Sequence, residues 1–108
     1  MITAYVLDGT TPVPEPDLDK WIKTFGSGSA PHVAFHDPPS GYVSTIFTGI
    51  ATSHGRDAAP RLFETMVSGG VFDNAQQRYG TWEEAELGHA YWLMKVLAME
   101  RSPDTNPA

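Results

Sequence analysis

The sequence contains no cysteine among its 108 residues. This excludes disulfide bridges, thiolate metal ligands and cysteine nucleophiles. Basic residues are also few, since seven Lys and Arg stand against 13 Asp and Glu and give a formal net charge of −6 at pH 7. Nonspecific binding to nucleic acid depends on Lys and Arg side chains that displace phosphate counterions. The charge therefore argues against a nucleic-acid partner.

Long hydrophobic runs are missing as well. The longest, AYWLMKVLAM at 90–99, is interrupted by Lys95, whereas a membrane-spanning helix needs about 20 apolar residues. The first residues, MITAYVLDGTT, lack the basic region, the apolar region and the cleavage site of a signal peptide. We therefore expect a soluble cytoplasmic protein with no membrane partner.

The composition that is present indicates one folded domain. Hydrophobic residues make up 41% of the chain and aromatic residues 11%, which is enough for a single small core. The last helical pattern ends at Ser102-Pro103, because a proline disfavours helix at the residue before it. We predict a single α+β domain over 1–101 and a flexible tail over 102–108.

Two segments have helical periodicity. The first follows Asp17, a good N-cap, and has an apolar stripe that consists of Leu18, Trp21, Ile22 and Phe25. The second begins at Thr81, which forms with Glu84 a Thr-x-x-Glu capping box. In that motif the Thr hydroxyl accepts from the amide of the Glu, and the carboxylate accepts from the amide of the Thr.

Four segments are predicted to be strands from their β-branched and aromatic content, namely 2–7, 32–36, 42–52 and 61–69. Residues 10–16, with three prolines, are expected to form an extended linker, and 71–79 are open between an irregular connector and one helical turn. The order β-α-β-β-β-α predicts a single small antiparallel sheet with two helices packed on one face.

The loop at 53–60 carries the most suggestive polar residues. Ser53, His54 and Asp57 have the chemistry of a nucleophile, a base and an orienting carboxylate. Three such residues are nevertheless commonplace in a polar loop, and we assign no catalytic residue. Rigid strands often display binding loops, so ligand or partner contact is the alternative to simple solvent exposure. The candidate contact residues are His54, Arg56, Asp57, Arg61, Glu64 and Arg78.

Glu64 is the charged residue of an otherwise apolar strand. Burial would raise the pKa of its carboxyl and suit acid–base chemistry. The structural alternative is an outward position or an ion pair with Arg61 or Arg78. His32 and His36 lie on one face of a strand, roughly 13 Å apart, which is too far for one metal ion. We therefore predict neither a metal site nor a cofactor.

The second helix is apolar on two sides. One stripe contains Trp82, Ala85, His89, Trp92, Leu93 and Val96. We expect it to face the sheet, with His89 as a core residue that has one ring nitrogen hydrogen-bonded. The other stripe contains Leu87, Ala90, Tyr91, Met94 and Ala98. Soluble monomers rarely leave such a patch uncovered, so we predict an interface of a homodimer or higher homo-oligomer.

Three stretches carry a family resemblance: YVSTIFTGI followed by His54-Gly55, then RLFETMVSGG, then RYGTWEEAELGH. In this order and spacing they resemble a family of short proteins encoded by bacteriophages and prophages, especially those of actinobacteria. The match covers about 43–89. The resemblance implies a phage or prophage origin and a compact α+β domain, and it brings no catalytic residues. Family members usually have Phe where Ser68 stands and more charge after His89.

Three functional hypotheses follow from the residues and the resemblance together. The first is a non-enzymatic accessory protein that binds a host protein or a small signalling molecule in the cytoplasm of the host bacterium. If the ligand is nucleotide-like, Arg56, Arg61 or Arg78 should meet its phosphates. The second is a minor virion or assembly component. The third is a small enzyme that uses His54 with Glu64 or Asp57.

Overall fold

The computed structural model describes residues 2–25, 31–52 and 60–100. The strands are β1 (Ile2–Asp8), β2 (Thr11–Pro14), β3 (His32–His36), β4 (Tyr42–Phe47), β5 (Ile50–Thr52), β6 (Phe63–Ser68) and β7 (Gln76–Tyr79), and the helices are α1 (Leu18–Phe25) and α2 (Trp82–Glu100). Ser53, His54, Arg56, Asp57 and the tail over 102–108 lie outside the described residues.

The strands form two antiparallel sheets, which confirms the α+β class but not the single sheet. Three strands pair in the order β2-β1-β5, and four pair in the order β3-β4-β6-β7. The strand predicted over 42–52 bends after β4 at Gly49, whose φ of 74° favours glycine. Beyond the bend, β5 pairs with β1. One continuous stretch of chain therefore contributes to both sheets.

Two of the strands were not predicted. The expected linker over 10–16 contains β2, which pairs with β1 so that Pro12 lies opposite Leu7 and Pro14 opposite Tyr5. Proline is tolerated there because β2 is an edge strand. The ambiguous stretch over 71–79 turns at 71–74 and then forms β7, also an edge strand. The order β-α-β-β-β-α therefore omits β2 and β7, and it treats β4 and β5 as one strand.

The two helices cover different sheets, which corrects the prediction that both pack on one face. Helix α1 contacts β1, and the Trp21 indole N–H donates to the Tyr5 carbonyl at 3.0 Å. The predicted cap at Asp17 is confirmed, because its Oδ1 accepts from the amides of Asp19 and Lys20. Helix α2 packs across all four strands of the larger sheet.

The start of α2 confirms half of the predicted capping box. The amide of Glu84 donates to Thr81 Oγ1 at 3.0 Å. The carboxylate of Glu84, however, accepts from the amide of Gly80 at 3.1 Å, one residue before the expected partner. Both bonds satisfy amides at the helix start, which have no partner within the helix.

The core lies between α2 and the four-stranded sheet, and it has two apolar clusters. The larger contains Phe47, Leu62, Phe63, Tyr79 and Ala85. The smaller contains Val43, Val67 and Val96. Three buried polar residues, Thr45, Thr65 and His89, separate these clusters. The polar residues define the first candidate site.

Candidate functional site

The register of the four-stranded sheet places two threonines side by side beneath α2. Thr45 on β4 lies directly opposite Thr65 on β6, and directly paired residues of antiparallel strands face the same side of a sheet. The neighbouring pairs on that side are Val43 with Val67 and Phe47 with Phe63. A polar pair is thus inserted between two apolar pairs, all of them fully buried.

Two histidines extend the threonine pair into a chain of hydrogen bonds, which we call the polar row. Thr45 Oγ1 lies 2.5 Å from Thr65 Oγ1 and 2.7 Å from His89 Nδ1. His89 Nε2 in turn lies 2.9 Å from His36 Nδ1. Because His89 is 4% exposed while His36 is exposed, the polar row leads from the protein surface into the core.

The prediction that His89 is a core residue is confirmed, although both of its ring nitrogens have partners rather than one. His36, which was predicted to share a strand face with His32, reaches inward to His89 from the edge strand β3. His32 takes a separate position, where its ring packs against Phe35 with centroids 5.5 Å apart. His32 and His36 therefore do not act together.

The hydrogen atoms of the polar row allow two directions. In one, Thr45 donates to His89 Nδ1 and His89 Nε2–H donates to His36 Nδ1. In the other, His36 Nδ1–H donates to His89 Nε2, and His89 Nδ1–H donates to Thr45. The tautomers of the two imidazoles are therefore linked. Two fully protonated rings would direct N–H groups at each other across 2.9 Å, so the pair accommodates one extra proton at most.

Burial lowers the pKa of His89, and the charge of His36 lowers it further. The buried imidazole thus resists protonation, because its charged form would lose solvation without gaining an anionic partner. Within the described part of the chain, no group of three or more His, Asp or Glu side chains is arranged to hold a metal ion. The buried member of the polar row, His89, therefore favours its neutral hydrogen-bonding form.

Tyr79 continues this region towards the opposite edge of the sheet. Its hydroxyl is buried and has no hydrogen-bond partner among the described residues. Burial raises the pKa of Tyr79, and the nearby side chains of Thr65 and Trp92 offset part of that increase. The Tyr79 ring and hydroxyl lie against Gly88 of α2, where an added Cβ would overlap them. Gly88 therefore allows α2 to approach β7 closely.

A second candidate site is an open groove of about 500 Å³ at the β7 edge of the sheet, which we call the arginine groove. Its lining consists of Pro60, Arg61, Gln77, Arg78, Tyr79, Gly80 and Glu84. Two of the predicted contact residues, Arg61 and Arg78, thus line one groove. Pro60 and Arg61 directly follow residues 53–59, which lie outside the described part of the chain and include three further predicted contact residues, His54, Arg56 and Asp57.

Glu64 does not line the arginine groove but pairs with Arg78. The two residues lie opposite each other on β6 and β7, and Arg78 Nε is 3.8 Å from Glu64 Oε2. The Arg78 side chain is 51% exposed, so the pair is long and solvated and contributes little to stability. Of the two alternatives for Glu64, the ion pair with Arg78 is the one observed.

The charges in the arginine groove are two guanidinium groups and one carboxylate. The carboxylate of Glu84 already accepts from the Gly80 amide. Among the described residues, Arg78 pairs with no carboxylate except that of Glu64, at 3.8 Å. The groove therefore presents guanidinium N–H donors to solvent beside a fixed acceptor. Such donors match the oxygens of phosphate and carboxylate groups.

The second stripe of α2 lies on the surface of the single chain. Leu87 is 74% exposed, Met94 70% and Tyr91 53%, and Ala90 and Ala98 are exposed too. We call these five residues the outer stripe. Lys95 borders it, with its ammonium group 5.2 Å from the centre of the Tyr91 ring and 5.3 Å from that of Trp92. That the outer stripe forms an interface stays a prediction.

Sequence reasoning missed the polar row, although one signal for it was present. Strand alternation places Thr45 on the same face as Val43 and Phe47. Assigning that apolar face to the core would have placed Thr45 inside. Thr65 and His36 could be identified as members of the polar row only from the strand register, which no local sequence pattern shows.

Comparison with protein-family models, with curated proteins and with solved structures finds no match for this chain. Similarity therefore adds nothing to the geometry of the two sites, and the resemblance to phage proteins stays a prediction. In the described ranges, no helix has the length and apolar character needed to cross a membrane.

Proposed function

We propose that the protein is a non-enzymatic binding protein that takes a small anionic molecule, of the nucleotide class, in the arginine groove. The observation that carries the proposal is that Arg61 and Arg78, from different strand ends, line the same groove. Guanidinium groups bind phosphate oxygens through paired, charge-assisted hydrogen bonds. A phosphate group would therefore lie between the two arginines.

Glu84 gives the groove a second kind of contact. Its carboxylate is held at the start of α2 by the Gly80 amide, and a fixed carboxylate accepts well from hydroxyl groups but repels phosphate. A ligand with both groups, such as a nucleotide, would direct its phosphate to the arginines and its sugar hydroxyls towards Glu84. A volume of about 500 Å³ lies within the usual range for small-molecule sites.

Binding is favoured over catalysis by the location of the titratable groups. The polar row has a hydrogen-bonded histidine, but Thr45 and Thr65 are fully buried and His89 nearly so. A substrate would have no access to these atoms without displacing α2. Such a binding role suits the first functional hypothesis, an accessory protein made during infection that acts on a host signal in the bacterial cytoplasm.

Isothermal titration calorimetry tests the proposal with ATP, cyclic AMP and inorganic phosphate as probes. We expect Arg61→Gln and Arg78→Gln each to weaken binding of the best probe by about tenfold or more, since a hydrogen bond to a charged group contributes about 1.5–3 kcal/mol. Lys23→Gln on α1 is the control: it removes the same charge outside the groove and should leave the affinity unchanged.

Two results would contradict the proposal. One is the absence of binding by every probe at millimolar concentration. The other is equal weakening by Lys23→Gln and Arg78→Gln, because this would show that net charge rather than the groove determines binding.

A further inference from the structure

The inner side of α2 packs against the sheet, whereas its outer side is exposed. On the inner side, Ala85, His89 and Val96 are buried against the sheet. On the other side, Leu87 and Met94 are among the most exposed large apolar side chains of the described residues. Positions 87, 90, 91, 94 and 98 follow the helical repeat, so they form one continuous apolar surface along the helix.

From this surface we propose that a second copy of the chain packs its own α2 antiparallel against the outer stripe and forms a symmetric dimer. The inference is independent of ligand binding in the arginine groove. Its first support is the order of side-chain sizes. Leu87 and Met94 lie at equal distances from the midpoint between Ala90 and Tyr91, so a two-fold axis at that midpoint pairs each Leu87 with the second copy's Met94.

The residues at the midpoint fit the same axis. Ala90 has a small side chain, and Tyr91 beside it is large and half exposed. Under the two-fold axis, the Ala90 residues of the two copies lie next to each other on one side of the contact and the Tyr91 residues on the other side, so that the small Ala90 side chains let the helices approach. Close approach of helices at small residues is a common feature of helix packing. The pattern therefore allows close contact between the two copies as well as hydrophobic contact.

Charge selects the antiparallel direction. The first turn of α2 is acidic, with Glu83 and Glu84, and Lys95 borders the outer stripe in the second half of the helix. A parallel pair would place the acidic first turns next to each other. An antiparallel pair places each acidic turn beside the half of the second copy that holds Lys95, and it also aligns the helix dipoles favourably.

The size of the surface predicts a weak dimer. Five side chains of this kind cover roughly 500 Å² on each copy, or roughly 1,000 Å² in total, which is the lower limit for specific interfaces. A dimer of this size is expected to dissociate in the micromolar range. The monomer and the dimer should therefore both be observable by sedimentation at accessible concentrations.

Cysteine cross-linking tests the arrangement, and the chain has no native cysteine to interfere. We expect Ala90→Cys to form a disulfide with its own copy. We expect an equal mixture of Leu87→Cys and Met94→Cys to cross-link, and neither variant to do so alone. At about 1.5 Å rise per residue, the two copies of Leu87 would be roughly 10 Å apart along the axis, too far for a disulfide.

A second measurement addresses the surface itself. Sedimentation velocity should show that Leu87→Glu raises the dissociation constant at least tenfold, without loss of helical circular dichroism, because Leu87 is 74% exposed. Leu18→Glu is the matched control, since Leu18 is 62% exposed on α1, and it should leave association unchanged.

Three outcomes would overturn the proposal. The first is a wild-type protein that stays monomeric at several hundred micromolar. The second is efficient cross-linking of Leu87→Cys alone, which would mean parallel helices. The third is dissociation by Leu18→Glu but not by Leu87→Glu, which would place the contact on α1.

Discussion

Helix α2 presents two apolar faces that are almost equal in hydrophobic character but opposite in environment. The inner face packs on four strands, and its residues Ala85 and Val96 are fully buried. The outer face carries Leu87 and Met94, which are mostly exposed. Apolar content alone therefore does not determine which side of the helix joins the core.

The feature that distinguishes the inner face is a set of specific fits. His89 hydrogen-bonds to Thr45 and His36, and Gly88 leaves space for the Tyr79 ring. A buried polar group can be satisfied in only one position of a helix on a sheet, and a buried polar residue is known to fix register in other helical assemblies. We therefore expect the polar row to orient α2, while hydrophobic burial supplies the driving force.

The largest loss of stability is expected from a charge placed on the inner face. We expect Val96→Asp to lower the free energy of unfolding by about 3–5 kcal/mol, because the carboxylate would be buried with no cation beside it. Ala98→Asp, on the outer stripe, should lower it by only about 1 kcal/mol, from helix propensity and the helix dipole. Urea denaturation of both variants at low protein concentration measures the difference. Equal losses for the two variants would contradict the assignment of the faces.

A smaller but more specific effect is expected at Gly88. Replacement of glycine by alanine inside a helix ordinarily stabilises it by about 1 kcal/mol. We expect Gly88→Ala to be destabilising instead, by about 1–3 kcal/mol, because the new Cβ would overlap the buried Tyr79 ring.

The control for Gly88 is Ala90→Gly on the outer stripe, where no such contact exists in the described chain. It should cost about 1 kcal/mol from helix propensity alone. Thermal unfolding of both variants provides the measurement. A stabilised Gly88→Ala variant would show that Tyr79 moves aside without cost.

The next effect concerns pH. The folded-state pKa of His89 is lowered by burial and by His36, so the unfolded chain binds more protons below pH 6.5 than the folded one. The stability that this provides is fully present above about pH 6.5, the ordinary pKa of histidine. It should decrease as the pH falls below that value, by at most about 1.4 kcal/mol per pH unit for one proton.

Urea denaturation between pH 5 and pH 7.5 measures this dependence. We expect His89→Gln to lower stability at neutral pH and to flatten its decrease towards pH 5. His32→Gln should keep the wild-type slope, because His32 is exposed and lies outside the polar row. An unchanged slope in His89→Gln would mean that other groups are responsible.

The parts of this fold that the sequence predicted are those determined by neighbouring residues. The cap at Asp17, the Thr81 hydroxyl bond and the inner stripe of α2 follow from spacings of three or four residues. The division into two sheets depends on the bend at Gly49 and on the pairing of β5 with β1, residues about fifty positions apart in the chain. No local pattern encodes that pairing.

In the candidate sites, too, the sequence indicated individual residues but not the long-range contacts between them. Arg61 and Arg78 were predicted as contact residues because guanidinium groups bind phosphates, and their shared groove arises from the β6–β7 pairing. The polar row was missed because Thr45, Thr65 and His36 come from three strands and meet only through register. Threonine is common in strands, so the residue type alone did not indicate that Thr45 and Thr65 are buried and hydrogen-bonded.

The smallest change in stability is expected from a substitution on the outer face, measured in the dilute, monomeric protein. Met94→Ser should alter the free energy of unfolding by less than about 0.5 kcal/mol, because a side chain that is 70% exposed loses little burial on truncation. If the protein is a dimer at higher concentration, the same variant should become less stable relative to wild type as concentration rises, since only the wild type gains from association. Thermal unfolding over a hundredfold range of concentration separates the two contributions. A large loss at the lowest concentration would mean that Met94 is packed against its own chain, and the two faces of α2 would then differ far less than their exposure indicates.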